Sequence, residues 1–190
     1  MPTPREQIER FNELQDFVTN QLPKFAEQVL AADLVALVTN RVVQKGENFK
    51  GASFSPYSIK QIGAFRFVAK SRNNSADRKI RALAKAQTPL KNTLSYEEFR
   101  ELNNLRTNKK NFEFTGEMWR KFGVIQVNIN GDDFLISIGG QSTTAQKKID
   151  ENSAREGISI IEANQAEIAL AQKAAQDWLV EQADRILNGN

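Results

Sequence analysis

Asp132 and Asp133 are adjacent carboxylates close to Asn130, an oxygen-rich set of the kind that holds a hard cation. The same residues bracket Gly131 between two alternating apolar runs. Turns between strands collect Asp and Asn for backbone reasons alone, so the turn is the stronger reading. Gly139, Gly140, Gln141 and Ser142 hint at a phosphate-cradling loop, yet no Lys-Ser/Thr pair follows and the Gly-x-x-x-x-Gly frame is missing. The flexible exit of a strand accounts for them.

The 190 residues contain no histidine and no cysteine. The commonest general base is therefore absent. Zinc sites of the usual N/S type and Ser–His or Cys–His nucleophiles are excluded as well. Carboxylate and lysine chemistry remain open, but no paired acids stand at a spacing that supports them. The expectation is a non-catalytic protein with no metal and no cofactor. No disulfide is possible, which fits a reducing compartment. The first residues, MPTPREQIERF, carry charge where a signal peptide needs an apolar run, and no stretch approaches the roughly 20 apolar residues of a membrane span. The chain reads as soluble, with no membrane partner.

The net charge of +3 is modest, but its distribution is uneven. Residues 60–91 carry Lys60, Arg66, Lys70, Arg72, Arg78, Lys79, Arg81, Lys85 and Lys91 against the single acid Asp77. Beyond Gly157 the acids Glu162, Glu167, Asp177, Glu181 and Asp184 outnumber Lys173 and Arg185. The middle is basic and one end is acidic. The basic stretch suits DNA phosphates, with Phe65 and Phe67 beside it to stack on bases. Two aromatics at one end are not the interleaved pattern of a single-strand binder, and a solvated arm docked on an acidic neighbour is the plainer reading.

The elements that would position these groups form one domain with an α+β pattern, helices packed on a small antiparallel sheet. Residues 1–45 read as N-terminal helices. Thr3, Pro4 and Glu6 form a capping box, and Ile8, Phe11, Leu14 and Phe17 follow at helical spacing. Pro23 breaks the chain or starts a second helix, whose stripe of Phe25, Val29, Leu30, Leu34, Leu37, Val38 and Val42 ends at Gly46. Residues 46–58 are a loop rich in Gly, Ser and Pro, expected to project from the body, and 58–65 suit a short helix. Over 66–92 the pattern fails: SRNNSADRK has no apolar face, and Ile80, Leu83 and Ala84 offer one weak helical turn that Pro89 stops, so an extended, mobile arm is expected. Order returns over 95–187. A capping box of Ser95 and Glu98 starts a helix, then comes a hairpin, a polar helix from Thr143, and a last helix near Asn164 with Glu167 in its cap. In the hairpin Ile125, Val127, Ile129, Phe134, Ile136 and Ile138 are expected on one buried face, with Asn130-Gly131 or Gly131-Asp132 central to the turn.

Two segments carry a family resemblance. One is GASFSPYS at 51–58, directly after an amphipathic helix ending in RVVQKGENF. The other is Phe114-Thr115-Gly116-Glu117-Met118. Together they resemble the tail-completion or minor tail (virion morphogenesis) proteins of tailed phages, which have a helix, a G-x-x-F-x-P-Y-S loop, a basic variable insertion, a threonine–glycine–x–methionine segment and a β-hairpin. A third, fainter likeness lies in 145–161, around Arg155-Glu156-Gly157. The resemblance covers roughly residues 30 to 187. The chain differs in lacking a histidine before the third segment, in its extra N-terminal helix, and in a longer stretch between Tyr57 and Thr115.

The resemblance implies a virion protein assembled in a host bacterial cytoplasm. Copies would form a homo-oligomeric ring in the neck or tail, either the tail-completion ring or a collar ring nearer the portal. The ring would contact connector and tail proteins, with DNA passing through the bore. Phe54, Pro56, Tyr57, Met118, Trp119 and Trp178 are the expected subunit contacts, with core packing the other reading of Met118 and Trp119 beside Phe122. Arg72, Arg78, Lys79, Arg81 and Lys85 are the expected contacts to a partner or to DNA. A DNA-binding accessory protein using the arm is the alternative.

Overall fold

The computed structural model describes residues 3–71, 73–86, 92–112, 116–130 and 133–188, with the side chains of 129, 130, 133 and 134 outside that description. The protein is α+β, mostly helical, with two antiparallel two-stranded sheets among the described residues. No helix among them is long and apolar enough to cross a membrane.

Helix α1 covers residues 4–45. It opens on the expected capping box: the Thr3 side chain accepts from the Glu6 N–H, and the Glu6 carboxylate accepts from the Thr3 N–H at 2.6 Å. Pro23 does not break it. The backbone stays right-handed helical through wider π turns at Phe17–Gln21, Ala26–Leu30 and Asn40–Lys45. A proline ring strikes the carbonyl four residues earlier, and a turn with one extra residue moves that carbonyl away. Gly46, at φ 71°, ends the helix as expected.

The stretch expected to be a mobile arm is a folded lobe over its described residues. Strand β1 (Ile62–Gly63) pairs antiparallel with β2 (Thr93–Leu94). A 3-10 turn, Ala64–Phe67, stands where a short helix over 58–65 was expected. Helix α2 (Asn74–Lys85) follows, its first turn capped by the Asn73 side chain accepting from the Ala76 N–H at 2.6 Å. Helix α3 (Tyr96–Leu102) begins at the expected box of Ser95 and Glu98. Ala64, Phe67, Ile80, Leu94 and Phe99 form a small core of their own, flanked by Leu83 and Ala84. This corrects the extended-arm expectation. The apolar stripe of α2 is narrow, only Ala76, Ile80, Leu83 and Ala84, but aromatic residues distant in sequence complete it. Arg72 and residues 87–91 lie outside the described residues.

The short helix α4 (Glu117–Arg120) leads into the hairpin of β3 (Phe122–Asn130) and β4 (Asp133–Gly140). Its register pairs Asn130 with Asp133, Val127 with Ile136 and Val124 with Ile138. Val127 and Ile136 share a face as expected, half-buried against Phe25, Ala26 and Leu30 of α1. Ile125 does not join them. A bulge between Val124 and Gln126 breaks the period of two and leaves Ile125 53% exposed. Gly131 and Asp132 of the expected turn lie outside the described residues, as do the side chains of Asn130 and Asp133, which with Asp132 are the candidate cation ligands.

Helix α5 (Thr143–Glu156), capped by Ser142, packs on β4 and α4. The 157–161 run is a connector, with Ile160 fully buried. Helix α6 (Gln165–Asn188) then runs back along α1. Glu167 meets Arg41, Trp178 stacks on Phe25 with ring centroids 3.7 Å apart, and Arg10 donates to the Leu187 carbonyl.

Replacing Ile80 with alanine removes a fully buried side chain from the lobe and is expected to lower stability by about 2–5 kcal/mol. Urea unfolding measures the loss, and amide exchange along α2 locates it. An unstructured arm would leave both unchanged.

Candidate functional site

The described parts of the three segments behind the family resemblance meet at one junction; Phe114 and Thr115 lie outside the described residues. After Gly46 the chain turns tightly: the Asn48 side chain accepts from the Lys50 and Ala52 N–H groups, and Gly51 takes φ 78°. The turn folds the loop back onto the body. Phe54, 7% exposed, enters the main core with Val38, Val42, Met118, Phe122, Ile149 and Ile160. It meets the Phe112 ring edge-on at 4.8 Å.

Ser55 sits on Glu156 of the Arg155-Glu156-Gly157 segment. Its N–H and hydroxyl both donate to that carboxylate, at 3.1 and 3.0 Å. Lys110 closes the group, with Nζ 2.5 Å from Glu156 Oε1 and 3.0 Å from Ser55 Oγ. A Ser–Lys pair attacks acyl groups when the lysine lone pair is free to take the hydroxyl proton. Here Nζ and Oγ both donate to Glu156, so the cluster works as a latch between loop and helix. Burial pushes the Glu156 carboxyl up, but the hydrogen bonds from Lys110 and Ser55 outweigh it and hold the group below its ordinary value of 4.5.

Tyr57 is buried one residue beyond the exposed Pro56. Its hydroxyl donates to Asn111 Oδ1 at 3.0 Å and accepts the Asn111 N–H at 3.1 Å. Arg100, almost without solvent contact, stacks over the Tyr57 ring at 4.1 Å. It donates to Asn111 Oδ1 and to the Arg106 carbonyl. Burial pushes the Tyr57 phenol above 10.0, with the Asn111 hydrogen bond opposing it. The phenol therefore stays neutral and keeps its donor.

The expectation that this loop projects, with Phe54 and Tyr57 free to anchor a neighbouring subunit, is thus corrected. Both rings are interior, because their partners come from elsewhere in the chain: Val38, Val42, Met118, Phe122, Ile149 and Ile160 for Phe54, and Tyr96, Arg100 and Asn111 for Tyr57. Met118 is also core. Trp119 is half-buried, edge-on to Phe122, and its indole N–H donates to the Asn111 carbonyl at 3.0 Å. Trp178 packs within the chain, on Phe25 and Phe17. Of the six expected subunit contacts only Pro56 is exposed.

The basic residues differ. Arg78, Lys79 and Lys85 are exposed on α2, and Arg81 pairs with Asp77 at 2.6 Å while staying half open to solvent. They stand on an ordered helix. Sequence reading missed Arg41, Arg100, Lys110 and Asn111. Arg41 had a signal, since it interrupts the apolar stripe of Leu34, Val38 and Val42. Arg100 and Asn111 had none. Among the described residues no group of three His, Cys, Asp or Glu is placed to hold a metal ion. Compared with known proteins, the chain matches no family model, no curated protein and no solved structure.

Phe54→Ala opens the main core and is expected to cost about 3–5 kcal/mol, melting the monomer early. Tyr57→Phe removes the hydroxyl that donates to Asn111 Oδ1 and accepts the Asn111 N–H in a buried site, a loss of about 1–3 kcal/mol. Thermal unfolding of the isolated protein checks both. The depressed Glu156 carboxyl contributes stability that is present above 4.5 and is lost as pH falls through its lower folded value. Glu156→Gln should therefore be less stable than the parent at neutral pH, and the gap should shrink as acid protonates the parent. Denaturant midpoints measured across pH 3–7 (roughly the window where carboxylates titrate) test this.

Proposed function

We propose that this chain is a structural, non-catalytic subunit of a tailed-bacteriophage particle. Copies assemble in the host cytoplasm into a ring in the neck or tail, which completes the tail and joins it to the head connector, with DNA passing through the bore. The observation that carries this reading is the order of three segments, 51–58, 114–118 and 145–161, whose described parts gather around one core of Phe54, Met118, Ile149 and Ile160. A second feature supports assembly. Ile8 and Phe11 on α1 are 62% and 68% exposed, and Val180 and Leu187 on α6 are also open. Apolar side chains left uncovered along a helix pair suit contact with another chain, and a closed ring repeats one such contact many times.

The second reading, a DNA-binding accessory protein, rests on the exposed cations of α2, since phosphate binding needs little beyond such charge. Negative-stain imaging of the purified chain separates the two. Rings of uniform diameter are the expected result. A monomer that retards duplex DNA in a gel, with retardation falling as salt rises, would favour the second reading instead.

A further inference from the structure

Two exposed charge stripes on different helices match in spacing. On α2, Arg78, Arg81 and Lys85 stand three and then four residues apart, on the side opposite the buried Ala76 and Ile80. On α6, Asp177, Glu181 and Asp184 are all exposed and stand four and then three apart, away from the buried Ile186. Each stripe spans two helical turns, about 10.5 Å. Laid antiparallel, the two patterns coincide: three then four along α2 meets three then four read backwards along α6. Among the described residues no ion pair joins these helices within the chain, and Asp177, Glu181 and Asp184 enter no hydrogen bond or ion pair. Lys173 and Arg185 bracket the acidic stripe and pair with none of the three.

We infer that α2 of one copy docks antiparallel on α6 of a second copy, with Arg78 facing Asp184, Arg81 facing Glu181 and Lys85 facing Asp177. This rests on the reading that copies assemble, and it names the surface that joins them. The occupant is a second copy because each chain carries both halves of the match. DNA would use only the basic half. The contact is heterologous, so it runs head to tail and closes into a ring when the rotation per copy allows. Ion pairs at such a surface fix register and partner more than they add affinity. Apolar contact comes from Val180 and Leu187 beside the acids and from Phe65, exposed in the turn that packs on α2.

Sedimentation velocity on the full chain tests it, with circular dichroism to verify that each variant is folded. Arg78→Glu with Lys85→Glu, or Asp177→Lys with Asp184→Lys, should each weaken self-association by about tenfold or more. All four changes in one chain, or an equimolar mixture of the two double variants, should restore it. If neither double variant alters assembly, the docking surface is wrong while the ring reading stands. If the α2 variant loses only duplex binding and self-associates normally, the basic helix is a nucleic-acid contact and the inference is overturned. A parent chain that stays monomeric at every concentration overturns the docking surface and the ring together.

Discussion

Arg41 is a cation almost without solvent, and the chain is arranged around satisfying it. Its Nε lies 2.8 Å from Glu167 Oε1, while its Nη atoms donate to the Glu47 and Glu162 carbonyls at 2.9 and 2.6 Å. A buried charge stripped of its partner costs about 3–5 kcal/mol, a large share of a typical domain's stability. The end of α1, the loop after it, the connector and the first turn of α6 are therefore held to one point. Glu167 serves twice, because its other oxygen accepts the Asn164 N–H that opens α6. With its start fixed beside residue 41, α6 has one direction that buries Trp178 and Ile186, back along α1. The hairpin then fills the remaining flank through Val127 and Ile136.

A large part of this was legible locally. The caps at Thr3, Ser95 and Asn164, the hairpin, and the closing helix each depend on residues within a few positions of one another. What failed depended on distance or on one displaced residue. The lobe around Ile80 looked like a solvated arm because its own stripe is four residues wide, and Phe67, Leu94 and Phe99 cannot be assigned to it from spacing. Ile125 was misplaced because a single extra residue shifts a period-two pattern, and no residue at that point announces it. Pro23 looked like a stop because the π turn that accommodates it leaves no local mark. Phe54 and Tyr57 sit in a stretch rich in Gly and Ser, whose composition describes its backbone and says nothing of where its rings go.

The site behaves in the same way. Motif residues chosen as contact residues proved interior: Phe54, Met118 and Tyr57 hold the junction, and Ser55 with Glu156 fastens it. Charge and apolar surface are open instead on the outer faces of α1, α2 and α6.

The chain leaves the main body at Tyr57 and comes back at Asn111, and those two residues are bonded directly to each other. The lobe between them keeps a separate core, and the returning stretch of chain is held to the body at two further points: Arg106 donates to the Val43 and Gln44 carbonyls, and Lys110 holds Glu156. For a loop whose ends are already pinned, doubling the length costs only about 0.6 kcal/mol in closure entropy. The part of the excursion that touches none of these anchors, around α2, is in effect a socket in the architecture: a change of its length falls on the lobe, while Arg100, Arg106 and Lys110 keep the junction closed.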